Sequence, residues 1–600
     1  MRKLFLPALL IVFSSFAFSQ QNLPSQLKGN WLNAADSIEW LYSFQPGFAV
    51  CETLFWEYKT INRNGNEYKL LLASGKEEKL LSVKVIDNTS LQITAEGKSP
   101  IRCTNQKARK PDFRNYDTQE FKEPILVDDT ATISGFIEDY DPTIFSKTGS
   151  VEYYSVLSHF EDNSKTEFKI QPDGRFMLKF RMFNPQNVWL SIDGSTQTTV
   201  FAKPGKTHMV CFNKLLKGVT VDSRKWKEIS DWQVNHYMGE YGLLSEELLL
   251  LEKYFYYAII PVQERVNSRE NMQQLEYESW RLHTYEKEIS GLDSLGNAMN
   301  CSAKARQVMN KTALFQLLEN LLGYPFKNAE SFQLSQKYID RLPVIDSPSE
   351  QNLLTSQYVF YINYLDFVME ANTAPQRNYS EQLIQQYDYV MDKFNSDLTG
   401  QMYAAYQILL IHNSIGLDSV LVEWAKQRIT NPVLINYLLE AKKAKEELKL
   451  KYSAYDSGTL FIDSIASDKN SDAFFMEILK KFEGKVVYID FWADWCSPCR
   501  AEFEPAIKLK QDYADKDIVF LYLGISCKKN LWEAMIKEKQ IEGYHYWLNK
   551  DQGQVMYKKF NFNGIPHFLL VDKNGAIMDS DAPRTSSKVE IRAVLDGLLK

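Results

Sequence analysis

Six hundred residues exceed what one hydrophobic core organises, so the chain is expected to divide into about three or four domains. Its composition, 44% hydrophobic, 24% charged and 13% aromatic, is that of an ordinary globular protein. A formal charge of −7 and a pI near 5.7, with no long basic cluster, argue against a nucleic-acid-binding surface.

The first residues point to a compartment. Arg2 and Lys3 form a positive start, Leu4 to Phe13 an apolar stretch, and Ala17-Phe18-Ser19 a small-residue cleavage pattern before Gln20. This pattern predicts a secretory signal peptide over residues 1–19, too short to span a bilayer. No cysteine follows before Cys51, so the lipid-attachment pattern of bacterial lipoproteins is missing. No later run is apolar for long enough to be a transmembrane segment. The mature protein is therefore expected to be soluble and exported, with the periplasm as the expected compartment.

Seven cysteines, at 51, 103, 211, 301, 496, 499 and 527, are too few for a disulfide scaffold in so long a chain. Cys51 and Cys103 lie in one small β region, either bridged or as buried free thiols. That region, residues 20–120, shows strand-like segments at Glu67–Ala73, Leu80–Ile86 and Ser90–Thr94. Asn64-Gly65 is a hairpin signal between strands, because both residues tolerate positive φ. The opening Gly29-Asn30-Trp31 faintly resembles the start of small lipocalin-like barrels, although a structural role for Trp31 in the core is the better reading of one such tripeptide.

A second β segment, residues 121–220, reads as a small β-sandwich with strands near Thr132–Gly135, Phe176–Phe180, Val188–Ile192 and His208–Phe212. Gln171-Pro172-Asp173-Gly174 and Ala202–Lys206 are turns. Over residues 221–452 the period becomes helical, as in Leu243–Leu251, Ala313–Leu322, Leu353–Met369 and Met402–Ile411. Gly323-Tyr324-Pro325, Ser347-Pro348 and Gly416 divide these segments. The many tyrosines here suit a peptide-binding surface or the core and rim of a bundle, and their helical spacing favours the bundle. Ala441–Lys451 reads as a solvated helix, and Tyr452–Gly458 as the linker to a last domain, residues 453–600. The expected fold class is thus multidomain: N-terminal all-β domains, a central α-helical domain and a C-terminal α/β domain.

Chemistry concentrates at Gly484–Cys499, G-K-V-V-Y-I-D-F-W-A-D-W-C-S-P-C. Val486–Phe491 is a nearly continuous apolar run, as in a central buried strand, with a helix expected from about Cys496. A cysteine at a helix N-terminus is stabilised as thiolate by unpaired N–H groups and the macrodipole, which makes Cys496 the nucleophile. Cys499, one turn on, is the resolving thiol, so the redox-active disulfide is Cys496–Cys499. Pro498 removes a donor and stiffens the turn between them. A zinc site would need a second cysteine pair, and there is none, so no metal is assigned.

Asp490 interrupts the buried run. Burial raises a carboxyl pKa toward the range useful for proton transfer, so Asp490 is the candidate acid/base for the Cys499 proton; the other reading is a paired structural carboxylate. Glu502 is a second candidate for that work, and its place on the first helical turn also fits a plain dipole interaction.

The segment D-F-W-A-D-W-C-S-P-C-R, including Trp495 as a supporting residue, closely resembles the active-site segment of thioredoxin, and C-R-A-E-F resembles the exported TlpA/ResA-like branch of that superfamily. The resemblance continues through a strand at Ile518–Ile525, a helix at Asn530–Lys539, Gly564-Ile565-Pro566-His567, strands at Phe568–Asp572 and Ala576–Asp579, and a helix at Lys588–Leu599. It implies a thioredoxin-like fold in which Pro566 is cis and faces the cysteines, with the Ile565 backbone pairing to an extended substrate. It also implies a protein-disulfide reductase acting on cysteine-containing envelope proteins, fed by a membrane thiol carrier of the DsbD/CcdA type and requiring no cofactor. Pro505, six residues after Cys499, departs from the usual spacing of five, so the helix kink is expected to differ. Cys527 is a spectator thiol or a third redox cysteine, and His567 touches substrate or faces solvent from a loop. The rival functions are a thiol oxidase or isomerase using the same site, and an envelope binding or scaffold protein in which the upstream domains do the work.

Overall fold

The computed structural model describes residues 23–143, 145–155, 157, 165–192, 196–213, 235–324, 349–370, 379–393, 397–415, 419–453, 460–462, 472–494, 496–527, 529–562 and 564–599. The expected signal peptide, Trp495 and most of the expected linker lie outside these residues. The chain divides into two compact units, one of Ile11–Leu409 and Ser419–Tyr437 and the other chiefly of Leu438–Lys600.

The first unit opens with a closed barrel of eight consecutive antiparallel strands: β1 Gly29–Asn33, β2 Trp40–Gln45, β3 Phe48–Cys51, β4 Leu54–Asn64, β5 Glu67–Ser74, β6 Glu77–Asp87, β7 Ser90–Ala95 and β8 Ile101–Thr104. The alternation read in the sequence sends Tyr68, Leu70 and Leu72 of β5, and Leu91 and Ile93 of β7, into the interior. Gly65, at φ +63°, supplies the left-handed residue that the β4–β5 turn requires. Closure comes from β1 pairing with β8, Asn33 opposite Cys103. Trp31 is 1% exposed, with its indole N–H donated to the Leu27 carbonyl at 2.7 Å. Cys51 and Cys103 are buried, unbridged thiols in the same interior.

Two four-stranded sheets follow. One has the order β11-β10-β13-β14 and the other β12-β9-β15-β16. Their strands are β9 Asp129–Ile137, β10 Thr148–Glu152, β11 Lys165–Lys169, β12 Arg175–Met182, β13 Gln186–Ile192, β14 Thr196–Ala202, β15 Thr207–Phe212 and β16 His236–Met238. Phe168 and Phe176 stack at 4.7 Å, and only glycine fits beside them: a Cβ on Gly149 or Gly135 would stand 2.4 Å from those rings. Barrel and sandwich share a core in which Trp40, Phe48 and Phe55 meet Phe136, Met209 and Cys211.

The helices are α1 Gly242–Tyr254, α2 Val262–Asn271, α3 Gln274–Ala298, α4 Ala303–Gly323, α5 Gln357–Glu370, α6 Tyr379–Lys393, α7 Leu398–Ile415, α8 Ser419–Arg428 and α9 Pro432–Ser453. A π-helical turn, Phe255–Ile259, continues α1. Most of the tyrosines in this region are core: Tyr358, Tyr387, Tyr403 and Tyr406 are no more than 1% exposed. No helix among the described residues is long and apolar enough to cross a membrane.

One buried ion pair locks this unit. Lys107 Nζ, beyond β8, donates to both carboxylate oxygens of Glu246 on α1 at 2.6 and 2.8 Å, and to the Asn235 carbonyl at 2.8 Å. Burial raises Glu246 to about 7 against the opposing pull of Lys107. Lys107→Met strands that carboxylate and should cost about 3–5 kcal/mol at neutral pH. A carboxyl whose folded pKa is raised contributes stability that is present below its unfolded value and lost as pH rises through the folded one. Removing the lysine raises the folded value further, so the defect should shrink between pH 7 and pH 5, as read by denaturant unfolding at the two pH values.

The second unit is built on a six-stranded sheet of order β17-β20-β19-β18-β21-β22. Its strands are β17 Leu460–Ile462, β18 Val486–Trp492, β19 Ile518–Gly524, β20 Tyr544–Trp547, β21 His567–Val571 and β22 Ile577–Asp579. β18 is central, parallel to β19 and antiparallel to β21, and buried along its whole length. Alternation along it builds two cores. Tyr488 and Trp492 face the one that contains Cys496 and Cys499; Val487, Ile489 and Phe491 face the other. Helices α10 Ala473–Lys480, α11 Ser497–Ala501, α12 Phe503–Asp512, α13 Lys529–Lys539, α14 Lys550–Phe560 and α15 Val589–Leu598 complete the unit. The single helix expected after Cys496 is broken at Glu502, between α11 and α12. Pro505, which has no N–H to donate back to Ala501, sits in the first turn of α12 and accounts for the break.

Candidate active site

Cys496 is the N-cap of α11, and its Sγ accepts the Cys499 backbone N–H at 3.2 Å. That contact and the helix dipole stabilise negative charge on Cys496 once the bond to Cys499 is opened. In this structure the two are joined as a disulfide with Cα atoms 5.3 Å apart. Cys496 is 3% exposed and Cys499 fully buried, so the outer sulfur is the one a client can reach. Pro498 between them is exposed. Arg500 Nη1 donates to the Asp494 carbonyl at 3.0 Å and ties the preceding loop to α11.

The Ile565–Pro566 peptide is cis, and the Ile565 carbonyl oxygen stands 3.6 Å from Cys496 Sγ. The two segments that the resemblance paired, the dithiol and the proline loop, are thus neighbours. Gly564, before them, has open space around it. His567 is neither a loop residue nor solvent-facing: it begins β21, is 7% exposed and stacks on Phe562 at 4.1 Å. Its register partner is Phe491, so alternation turns it to the sheet face opposite the dithiol.

Asp490 is 3% exposed, and neither carboxylate oxygen has a hydrogen-bond partner among the described residues. Tyr522 and Phe568 stand opposite it on the neighbouring strands. Desolvation, with the nearby negative charge of Glu502 second, pushes its carboxyl well above the ordinary carboxylate range. The paired structural carboxylate considered from the sequence is not what this geometry offers. Tyr522, opposite Asp490, stacks on His545 at 4.8 Å, and Trp532 occupies the space where a Cβ on Gly524 would be.

Glu502 has a different environment. Its carboxylate accepts from Thr585 Oγ1 at 2.6 Å, Ser586 N at 2.9 Å and Ser586 Oγ at 2.8 Å. These three donors join the α11–α12 corner to the Thr585–Ser587 turn. Thr585 and Ser586 were not singled out in the sequence. They lie 83 and 84 residues from Glu502, and nothing local marks them.

Cys527 is partly buried against the core that contains the dithiol. Burial, and the Asp494 carboxylate next, push its thiol up to about 12, so at neutral pH it is protonated and a poor nucleophile. No group of three or more His, Cys, Asp or Glu among the described residues is arranged to hold a metal ion.

A thiolate-stabilising N-cap cysteine, a buried resolving cysteine, a cis-proline loop against them and a desolvated carboxyl in the central strand define a thioredoxin-type thiol–disulfide oxidoreductase. Residues 484–577 match the family described as Thioredoxin-like. A thioredoxin-like protein of Bacillus subtilis, YneN, is 31% identical over 123 residues, covering 20% of this chain and 68% of its own length. The thiol:disulfide interchange protein HelX of Rhodobacter capsulatus is 30% identical over 96 residues, 16% of this chain and 51% of that protein. The crystallised thioredoxin domain of a thiol-disulfide oxidoreductase from Bacteroides vulgatus is 25% identical, covering 20% of this chain and 84% of that one with a TM-score of 0.19. Through its C-terminal unit the chain belongs to the thioredoxin superfamily. It spans only about half of HelX, and these matches concern a fifth of the present chain or less.

Proposed function

We propose that this protein is an exported, periplasmic thiol–disulfide oxidoreductase that reduces or exchanges disulfides in cysteine-containing envelope proteins. The observation that carries the reading is the pairing of Cys496, capped by a backbone N–H, with a partnerless carboxyl in the adjacent buried strand. Export rests on the signal-like N-terminus.

In the reduced protein the Cys496 thiolate attacks one sulfur of a client disulfide. A mixed disulfide forms, and the client's other sulfur leaves as thiolate and is protonated by solvent. The Ile565 backbone, beside Cys496, offers an edge to an extended client strand. Cys499 then gives its proton to the Asp490 carboxylate, through water, and attacks Cys496 Sγ. The client's second thiolate leaves, and the Cys496–Cys499 disulfide remains. Two electrons have passed to the client. A membrane thiol carrier of the DsbD/CcdA type returns them by exchange with the same disulfide. No cofactor takes part in any step.

Oxidase and isomerase activity would use the same atoms in the opposite direction, so potential separates them. Equilibrating the full chain with glutathione buffers should give a couple reducing enough for the dithiol to reduce insulin with dithiothreitol as the electron source. A strongly oxidising potential would overturn the reductase direction, and a failure to turn over insulin, with Cys496→Ser leaving the cellular role intact, would favour the scaffold reading.

A further inference from the structure

The loop that carries Ile565 and Pro566 is closed at its base by two rings. Phe562 follows α14 and His567 opens β21, so they flank Gly564, Ile565 and Pro566 on either side. The rings stack at 4.1 Å with 13° between their planes, and each residue is 7% exposed. Phe491 of β18 lies behind them, 5.3 Å from Phe562 and 6.1 Å from His567, and Tyr557 of α14 packs on Phe562 at 4.7 Å. The stacked pair is a pin. It fixes both ends of the segment whose Ile565 carbonyl stands 3.6 Å from Cys496 Sγ.

A phenyl ring at 567 would make the same pin; a histidine adds a proton to it. His567 Nδ1 faces Asp581 Oδ1 at 3.6 Å, in the segment that follows β22. That segment is tied to β21 by the Ala582 N–H, which donates to the Phe568 carbonyl at 2.9 Å. His567 Nε2 is buried with no hydrogen-bond partner among the described residues. The Asp581 carboxylate favours a ring proton at Nδ1, so the second proton of an imidazolium falls to Nε2, where the closed loop supplies no acceptor.

The elements packed on the ring differ in what they bring. Phe491 and Phe562 bring no charge. Burial pulls His567 below the ordinary histidine value of 6.5, against Asp581, the Ser580 backbone and, last, Asp579, which all favour the charged ring. A histidine lowered in this way withdraws stability from the closed arrangement as pH falls.

We propose that His567 is a positioning residue whose protonation releases the Phe562–His567 pin and loosens the Ile565 edge, so that affinity for an extended client falls in acid. This inference rests on the oxidoreductase reading above. His567 acts only through the loop, since it lies on the sheet face opposite the dithiol.

The test mixes the reduced full chain, in single turnover, with the disulfide dimer of N-acetyl-Gly-Ser-Cys-Ser-Gly-amide at pH 8 and pH 5.5, followed by tryptophan fluorescence. The peptide has no titrating group. Ionisation of Cys496 moves the limiting rate, so the half-saturating concentration is the quantity that reports the loop. One pH unit below 6.5 bounds the effect at about tenfold, and the expected rise from pH 8 to pH 5.5 is about three- to tenfold. His567→Phe keeps the stack and should hold the half-saturating concentration constant between the two pH values. Asp581→Asn, at an exposed side chain, serves should that variant misfold: it removes the group that favours the charged ring and should bring the rise closer to its bound. An equal half-saturating concentration at both pH values in the parent, or a rise that persists in His567→Phe, overturns the proposal and leaves the oxidoreductase reading standing. A reduced chain that opens the peptide disulfide at neither pH overturns that reading, and this proposal with it.

Discussion

Replacing Cys499 by Ser should reduce insulin turnover to the uncatalysed level and leave Cys496 covalently joined to its client. The reason is the division of labour at α11. Cys496 keeps the N-cap position and the donated N–H, so the first attack proceeds. The second step needs a thiol at the fully buried 499 position, and a serine hydroxyl there cannot displace a sulfur. The mixed disulfide then persists until an external thiol opens it. Non-reducing gels and peptide mapping of the exported fraction should show adducts on Cys496 that collapse with dithiothreitol. An exported fraction without any adduct would count against the proposed mechanism, and the double variant Cys496→Ser, Cys499→Ser should trap nothing.

Asp490→Asn should separate catalysis from stability. The asparagine keeps the shape and removes the base, so resolution of a Cys496 mixed disulfide should slow by about 10²-fold or more while its formation is unchanged. Release of thionitrobenzoate from an adduct on Cys496 measures that step alone. Stability should move the other way. The folded pKa of Asp490 lies above its ordinary value of 3.8, so the group supports folding below that value and opposes it progressively as pH rises through the folded value. The variant has no such dependence. It should be more stable than the parent by about 1–3 kcal/mol at pH 8, with the gap closing as pH falls toward 4. Equal resolution rates in the two proteins would remove Asp490 from the proton path.

The contrast between Asp490 and Glu502 shows what a sequence can carry. Asp490 was legible because a lone acid in a run of β-branched and aromatic residues contradicts burial, and the contradiction is local. Glu502 was legible only as an acid on a helix. What fixes its role is a turn more than eighty residues away, which no spacing rule reaches. His567 was misread for a related reason: β21 begins one residue before the apolar run suggests, and one residue decides which face of a sheet a side chain takes. Strands β5 to β7 could be marked from alternation and turn residues, whereas closure of the barrel depends on β1 meeting β8 across the whole segment. Of the roles considered for the tyrosine-rich stretch, the core is what Tyr358, Tyr387, Tyr403 and Tyr406 fill.

The central claim is that one cysteine among seven is the nucleophile. Burial pushes Cys51, Cys103, Cys301 and Cys527 up to about 12 and raises Cys211 well above the ordinary thiol value, so each is a protonated thiol at neutral pH. Cys496 combines a helix N-terminus with a donated backbone N–H, both of which favour its thiolate. The direct measurement is timed alkylation of the reduced full chain with iodoacetamide at pH 6 and pH 8, with each cysteine followed by peptide mass. The account predicts that Cys496 is modified first at both pH values, with Cys499 and the other five unlabelled on that timescale. First labelling at Cys499 or at any of the other five, or a Cys496 rate that climbs tenfold per pH unit as an ordinary thiol does, would contradict it.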